Sequence, residues 1–401
     1  NQPDAQYFLG VIYYEGRYTT QDINKSIYYF SLASNQNHPQ AQFYLGEIYY
    51  GGQYIARDIY KAIHYYSLAA DQNHPDAQYF LGEIYYQGIY TTRDIDKSIH
   101  YLSLAANHNH LLAQHNLGFI YHQSKYVTQD IKKAFHYYSL AADRNHPQAQ
   151  YSLGIEYYKL IDMKKSIHYL IRSALNGNKE ACFAVGYLYH EGKYMERDID
   201  QCIRFYKEAS SFNNQFAKNN LGIIYKKGFE DKIEPRLGLS IEYFKEAIKQ
   251  KNDKVAMYNL GHLYLYLEPI KDSINQSIDL LIRSLNEGFP PSLELLCISL
   301  IKKYDNDIDS IKQKLDEQTN NFDKYKTRIY EIIEIFISNK FFYESKYLDY
   351  KNIDFIYNVL HECLQSNEIT KEKETHEEKN PNIKEISSLF YEGFGIQVEL
   401  V

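Results

Sequence analysis

Tryptophan is absent, and methionine (3), cysteine (4) and proline (9) are sparse in a chain of 401 residues. The four cysteines, Cys182, Cys202, Cys297 and Cys363, lie far apart with no CxxC pair, which argues against a zinc site and a dense disulfide framework. A reducing compartment, and so a cytoplasmic location, is the expectation. No apolar run reaches the roughly 18 residues of a membrane span, so no membrane insertion is expected. No basic-then-apolar leader follows Asn1, and the chain reads as soluble and as an excerpt of a longer protein. No block of five or six basic residues exists either. With 44 Lys+Arg against 51 Asp+Glu, the net charge of −7 speaks against nucleic acid as a partner, because phosphate binding needs a clustered basic surface.

What the chain has in quantity is tyrosine, 43 residues, with 20 phenylalanines. Single cores stop growing at about 250–300 residues, beyond which chains split or become arrays. Alignment on Leu-Gly pairs gives Gly10, Gly46, Gly82, Gly118, Gly154, Gly186, Gly222 and Gly261, spaced 36, 36, 36, 36, 32, 36 and 39. In each unit an Ala stands five residues before the Gly and a Tyr three after, as Ala41 and Tyr49 do around Gly46. Ala, Leu and Tyr at i, i+4 and i+8 share one face of a helix, here helix A. Twelve residues after the Gly comes Asp22, Asp58, Asp94, Asp130 or Asp198, an N-cap for a second helix, B. The fifth unit lacks four loop residues, yet Asp162 keeps its distance to Ser166, so the deletion falls in the loop and spares the cap.

Between units, four residues before each helix-A Ala, stand Asn37, Asn73, Asn109, Asn145, Gly177, Asn213 and Asn252, and Gly288 continues the series. A left-handed residue at a helix end costs ordinary residues about 1–2 kcal/mol and is tolerated mainly by Gly and Asn. Pro39, Pro75 and Pro147 then fall where a helix opens. Each unit therefore reads as helix, loop, helix and left-handed joint.

The framework Ala41, Leu45, Gly46, Tyr49, Gly52, Asp58, Lys61 and Ala62 resembles the Sel-one-like repeat (SLR) family, relatives of the tetratricopeptide repeats. The resemblance covers residues 1 to about 288 as eight units. It implies an all-α fold, a right-handed α-solenoid of stacked antiparallel helix pairs, ending in a non-repeat helical C-terminal segment. Two departures stand out. Tyr residues such as Tyr54 occupy a loop position where the family favours a small aliphatic, and Arg236 replaces the Asp cap of the seventh unit, which puts that loop's geometry in question. Ser292, Leu296, Cys297 and Leu300 keep the Ala, Leu, Gly and Tyr places, so 289–321 reads as a degenerate ninth unit. Residues 322–366 read as a non-repeat helical segment, 367–380 as a charged linker, and 381–401 as a partial repeat-like helix or cap.

No catalytic, cofactor-binding or metal-binding group emerges. His38, His74, His110 and His146 follow the joint, and His64, His100, His136 and His168 stand on helix B. Packed helices lie about 8–10 Å apart at equivalent positions, too far for one metal, so these columns read as caps and solvated surface. Asp305, Asp307 and Asp309 have the spacing of a calcium loop without its glycine, and read as helix capping. No phosphate-binding glycine loop or nucleophile elbow is present, and the chain is not expected to be an enzyme.

What remains is surface. Three positions before the Gly stand Tyr7, Phe43, Tyr79, His115, Tyr151, Phe183 and Tyr258; one position after it stand Glu47, Glu83, Phe119 and Tyr187. The resemblance implies that helix A lines a concave groove, and Tyr-rich stripes suit protein contacts. Two readings stay open: a groove that binds a partner, or rings that pack against the next unit. The expected function is a non-catalytic scaffold or adaptor binding a protein or peptide, its oligomeric state undetermined. The alternative is a regulatory repeat segment of a larger signalling enzyme, for example a kinase, whose catalytic domain lies outside this chain.

Overall fold

The computed structural model describes residues 2–304 apart from 90, 124–126, 229–231, 252, 267–272 and 290, together with 310, 311, 313 and 329. The described residues form seventeen helices and no strand, as the all-α expectation required. They fall into two compact units, Asn1–Asn178 and a second from Lys179 onward.

In the first unit, α1 (Pro3–Glu15) pairs with α2 (Ile23–Ser34), α3 (Pro39–Gly51) with α4 (Ile59–Ala70), and α5 (Pro75–Gln87) with α6 (Ile95–Asn107). Two more pairs follow, α7 (Leu111–His122) with α8 (Ile131–Asp143), and α9 (Pro147–Lys159) with α10 (Met163–Leu175). In the second unit the pairs are α11 (Lys179–Glu191) with α12 (Ile199–Ser211), α13 (Gln215–Lys227) with α14 (Leu237–Lys251), and α15 (Lys254–Tyr266) with α16 (Ser273–Asn286). Helix α17 (Ser292–Tyr304) then packs on α16. Odd-numbered helices are the A helices of the repeat, and even-numbered ones up to α16 are the B helices.

The repeat glycine sets how closely A and B approach. A Cβ on Gly46 would lie 2.5 Å from the Tyr66 ring, and one on Gly118 2.5 Å from Tyr138. The large helix-B side chain thus occupies the space that the missing side chain leaves. Ala41, Leu45, Ala62 and Tyr66 are all fully buried around this contact. At four of the positions where helix B offers Ser in place of the small Ala, the hydroxyl donates to the glycine carbonyl, as Ser26 Oγ does to Gly10 O at 2.9 Å and Ser240 Oγ to Gly222 O at 2.7 Å; Ser98 Oγ finds no such partner.

In the first seven repeats the A-to-B loop is closed by a bond from the residue before helix B to the carbonyl of the Tyr three after the Gly. Asp22 N donates to Tyr13 O at 2.9 Å and Asp58 N to Tyr49 O at 2.9 Å. The cap carboxylates then accept the amides of Lys25 and Lys61 at 3.0 Å. In the seventh repeat Arg236 N still donates to Tyr225 O at 2.7 Å, so the loop keeps this bond without the aspartate.

The joints adopt the expected left-handed backbone: Asn37, Asn73, Asn109, Asn145 and Asn213 have φ of 60–63°, Gly177 84° and Gly288 79°. Asn252 lies outside the described residues. Asn37 N donates to Ser34 O at 2.9 Å and His38 N to Ala33 O at 3.2 Å, the paired bonds of a Schellman motif that satisfy the last carbonyls of helix B. The shortened loop of the fifth repeat uses the same two bonds, Ile161 N to Tyr158 O and Asp162 N to Tyr157 O, both 2.9 Å. It places Ile161 at φ 60°, where the joints carry Asn or Gly. Asp162 caps α10 through Lys165 N at 3.1 Å.

Of 322–366 only Ile329 is described, buried in the core of α16 and α17. The carboxylates of 305–309, the linker 367–380 and the segment 381–401 lie outside the described residues.

Candidate functional site

After each of the first four joints a histidine closes one helix and opens the next. Nδ1 of His38, His74, His110 and His146 accepts the amide of Ala41, Ala77, Ala113 and Ala149 at 3.2, 3.3, 3.2 and 3.1 Å. A nitrogen that accepts an amide carries no proton, so the ring is the Nε2–H tautomer. Nε2 of His38 reaches Asp4 at 3.2 Å and Nε2 of His110 reaches Asp76 at 3.1 Å. Burial lowers the imidazole pKa at His74 and His110, and at His146 it does so to about 4, with neighbouring His115 adding to the effect.

The column three before the Gly lies on these caps. Tyr7 stacks on His38 with ring centroids 4.7 Å apart, Phe43 on His74 at 4.7 Å, Tyr79 on His110 at 4.6 Å, and His115 on His146 at 4.8 Å. Tyr7, Phe43 and Tyr79 also pack on the core, and Tyr7, Phe43, Tyr79, His115 and Tyr151 are all half-buried. Phe183 and Tyr258, in the second unit, are 7% and 8% exposed. Phe183 faces Tyr206 and Phe216 at 5.7 and 6.0 Å, and Tyr258 meets Phe289 edge-on at 5.4 Å.

In the column one after the Gly, Phe119 is 37% exposed, and Glu47, Glu83 and Tyr187 are half-buried. Glu47 accepts the Tyr66 hydroxyl, and Glu83 accepts Asn116 Nδ2 from the next repeat at 2.8 Å. Burial pushes both carboxyls above the ordinary glutamate range, against those hydrogen bonds, and the Asp76 charge adds to the rise at Glu47. Glu156, one position further along α9, is the contrast. Burial raises it too, but His122 at 2.9 Å and Lys159 at 2.8 Å outweigh that and hold it below the usual range. Burial, then the Glu83 charge, pushes the Tyr79 hydroxyl up to about 12.

One recurring group escaped the sequence reading. The Tyr three after the Gly stacks almost parallel on a helix-B Tyr: Tyr13 on Tyr29 at 5.7 Å, Tyr49 on Tyr65 at 5.8 Å, Tyr85 on Tyr101 at 6.0 Å. Over the first ring sits the lysine three after the cap, Lys25 at 5.2 Å, Lys61 at 5.0 Å and Lys97 at 5.1 Å, which also pairs with the cap aspartate at 3.4 Å in each case. The lysine amide holds the Asp22, Asp58 and Asp94 carboxyls below the ordinary aspartate range. The signal was a Lys at Asp+3 with a Tyr four residues later in each of the first five repeats. Its chemistry is a brace, and it offers no reactive group. His64, His100, His136 and His168 on helix B are exposed, as expected. Among the described residues no group of three metal-ligating side chains converges, and no described helix is long and apolar enough to cross a membrane.

Comparison with known proteins bears on this geometry. A model of the Sel1 repeat matches residues 3–38, 39–74, 75–110, 111–146, 147–178, 179–211, 215–252 and 254–289. No curated protein matches the chain. Among solved structures it is similar to c5321, a protective antigen present in uropathogenic Escherichia coli strains and displaying an SLR fold. The two share 26% identity over 83% of this chain and 72% of that one, with a TM-score of 0.65. A Sel1 repeat protein from Oxalobacter formigenes shares the fold at 23% identity over 73% of this chain and 85% of that one, with a TM-score of 0.56. The first four matched segments end at the cap histidines His38, His74, His110 and His146, and the chain belongs to the Sel1 repeat family.

Proposed function

We propose that residues 1–178 act as a non-catalytic scaffold that holds a partner protein or extended peptide on the face of their A helices. The observation that carries this reading is the half-open aromatic column of Tyr7, Phe43, Tyr79, His115 and Tyr151, with the Phe119 ring beside it. The cap histidines hold Tyr7, Phe43, Tyr79 and His115 by stacking, so the exposed parts of these four rings are ordered before a partner arrives. Ordered aromatic area gives contact at low entropy cost. Sel1 repeat proteins generally serve as protein-interaction scaffolds, which agrees. Phe183 and Tyr258 are covered and contribute to this face only if their surroundings open.

Site-specific photo-crosslinking tests the reading. A benzophenone side chain placed at Phe119 is expected to capture a discrete partner, while the same group at Tyr60, 81% exposed on helix B, captures none. Equal capture from both positions, or capture from Tyr60 alone, refutes the helix-A assignment.

A further inference from the structure

We propose that the helix-A face of residues 1–178 recognises a basic segment of its partner, seating two lysine or arginine side chains against Glu47 and Glu83. This rests on the scaffold reading and adds the chemistry of the occupant. Helices α1, α3, α5 and α7 carry Asp4, Glu15, Glu47, Asp76 and Glu83 and not one lysine or arginine. Glu15 pairs with Arg17 at 2.9 Å, while the exposed Asp4 and Asp76 accept from the neutral imidazoles of His38 and His110. Among the described residues the half-buried Glu47 and Glu83 likewise receive only neutral donors, Tyr66 for the first and Asn116 and Gln87 for the second.

The comparison with Glu156 gives this weight. In α9 the buried carboxylate of Glu156 has the Lys159 ammonium at 2.8 Å and the His122 imidazole at 2.9 Å. Among the described residues no lysine or arginine stands beside Glu47 or Glu83. A desolvated carboxylate without a counter-ion is costly, and an incoming cation relieves that cost. Aromatic neighbours favour the same ligand: the Glu47 charge acts on Tyr14 and the Glu83 charge on Tyr79, and ring faces attract ammonium and guanidinium groups. Equivalent positions on adjacent helices lie about 8–10 Å apart. Residues three apart in a polyproline II strand share a face and span about 9 Å. Lys-x-x-Lys is therefore the matching spacing.

The test uses three fluorescent nonapeptides with Lys-Ala-Pro-Lys, Gln-Ala-Pro-Gln or Glu-Ala-Pro-Glu at their centres. The lysine peptide is expected to bind, the glutamate peptide not at all, and rising salt to weaken the complex. Glu47→Gln with Glu83→Gln is expected to reduce lysine-peptide affinity at least tenfold while the variant stays folded by circular dichroism. Asp71→Asn with Asp96→Asn, the same charge change at exposed sites at the end of or on B helices, is expected to change it less than twofold. No binding of the lysine peptide, indifference to peptide charge, or equal loss in both double variants overturns the proposal. If the lysine peptide fails while Phe119 still crosslinks a partner, the charge inference falls and the scaffold stands. If both fail, the scaffold reading falls with it.

Discussion

Residues 1–178 and the unit that begins at Lys179 are built on the same repeat, yet their A helices carry opposite charge. Helices α1, α3, α5, α7 and α9 bear six carboxylates and one lysine, Lys159; α11, α13 and α15 bear Lys179, Lys218, Lys226, Lys227 and Lys254 against Glu180 and Glu191. Where the first unit sets two half-buried carboxylates against neutral donors among the described residues, the second sets a half-buried amine against an imidazole. Lys226 Nζ lies 2.9 Å from His262 Nδ1. Burial draws the lysine down to about 8, helped by Lys227, and draws His262 down to about 3. The joints differ too. Histidine caps the A helices after the first, up to α9, whereas Asn214 and Asp253 cap α13 and α15, accepting the amides of Ala217 and Ala256 at 2.9 Å. Helix α11 buries six consecutive residues, 181–186, where the A helices of the first unit keep one face half-open. The framework of Ala, Leu, Gly and left-handed joint is thus indifferent to what the remaining helix-A positions carry, which leaves those positions able to differ between the units.

The sharpest way to probe the contrast is at the A–B contact. Gly46→Ala sets a Cβ 2.5 Å from the buried Tyr66 ring and is expected to cost about 1–3 kcal/mol in urea unfolding. Gly261→Ala in the second unit meets Leu281 at 3.0 Å and is expected to cost less; equal losses would mean that the two units are packed alike. Next in size is Ile161→Asn. Ile161 is 80% exposed and holds φ 60°, so giving the short loop the residue used at the joints is expected to stabilise by about 1 kcal/mol. A neutral or negative outcome breaks the equivalence of loop and joint.

The smallest effect concerns caps. His146 is neutral in the fold, its pKa lowered from 6.5 to about 4 by burial and His115. The unfolded chain therefore takes up the proton first as pH falls. The His146 contribution to stability is full above pH 6.5 and is lost towards pH 4. His146→Asn imports the cap of the second unit and is expected to leave stability at neutral pH nearly unchanged while making the acid decline shallower. An unchanged acid profile in thermal melts would remove His146 from that decline.

Much of this fold was legible because its strongest constraints are local. A left-handed residue admits few side chains, so Asn37 to Asn145 announced the joints, and Asp58 announced a helix start by its distance from Gly46. The histidines read correctly as caps for the same reason, since His38 acts on an amide three residues away. The Tyr49–Tyr65 stack and the Lys61 brace were missed because they join positions 12 to 16 residues apart, and which rings meet depends on the rotation of two helices. That rotation also decided how the Phe43 column divides between stacking on His74 and facing outward. The fate of Phe183 and Tyr258 depended on neighbours in their own unit, which the repeat pattern does not encode.

The joint joins a helix end to a helix start in two residues, Asn73 closing one and His74 opening the next, with no spacer between them. Any stretch running from one proline to the following histidine, such as 39–74, therefore carries a finished entrance and a finished exit. Duplicating such a cassette, or excising it, leaves every boundary chemically identical, so the array lengthens or shortens by whole turns of its pattern without a seam to repair. Growth of the binding face is then a matter of copying, and its specificity a matter of editing the few side chains that no seam constrains.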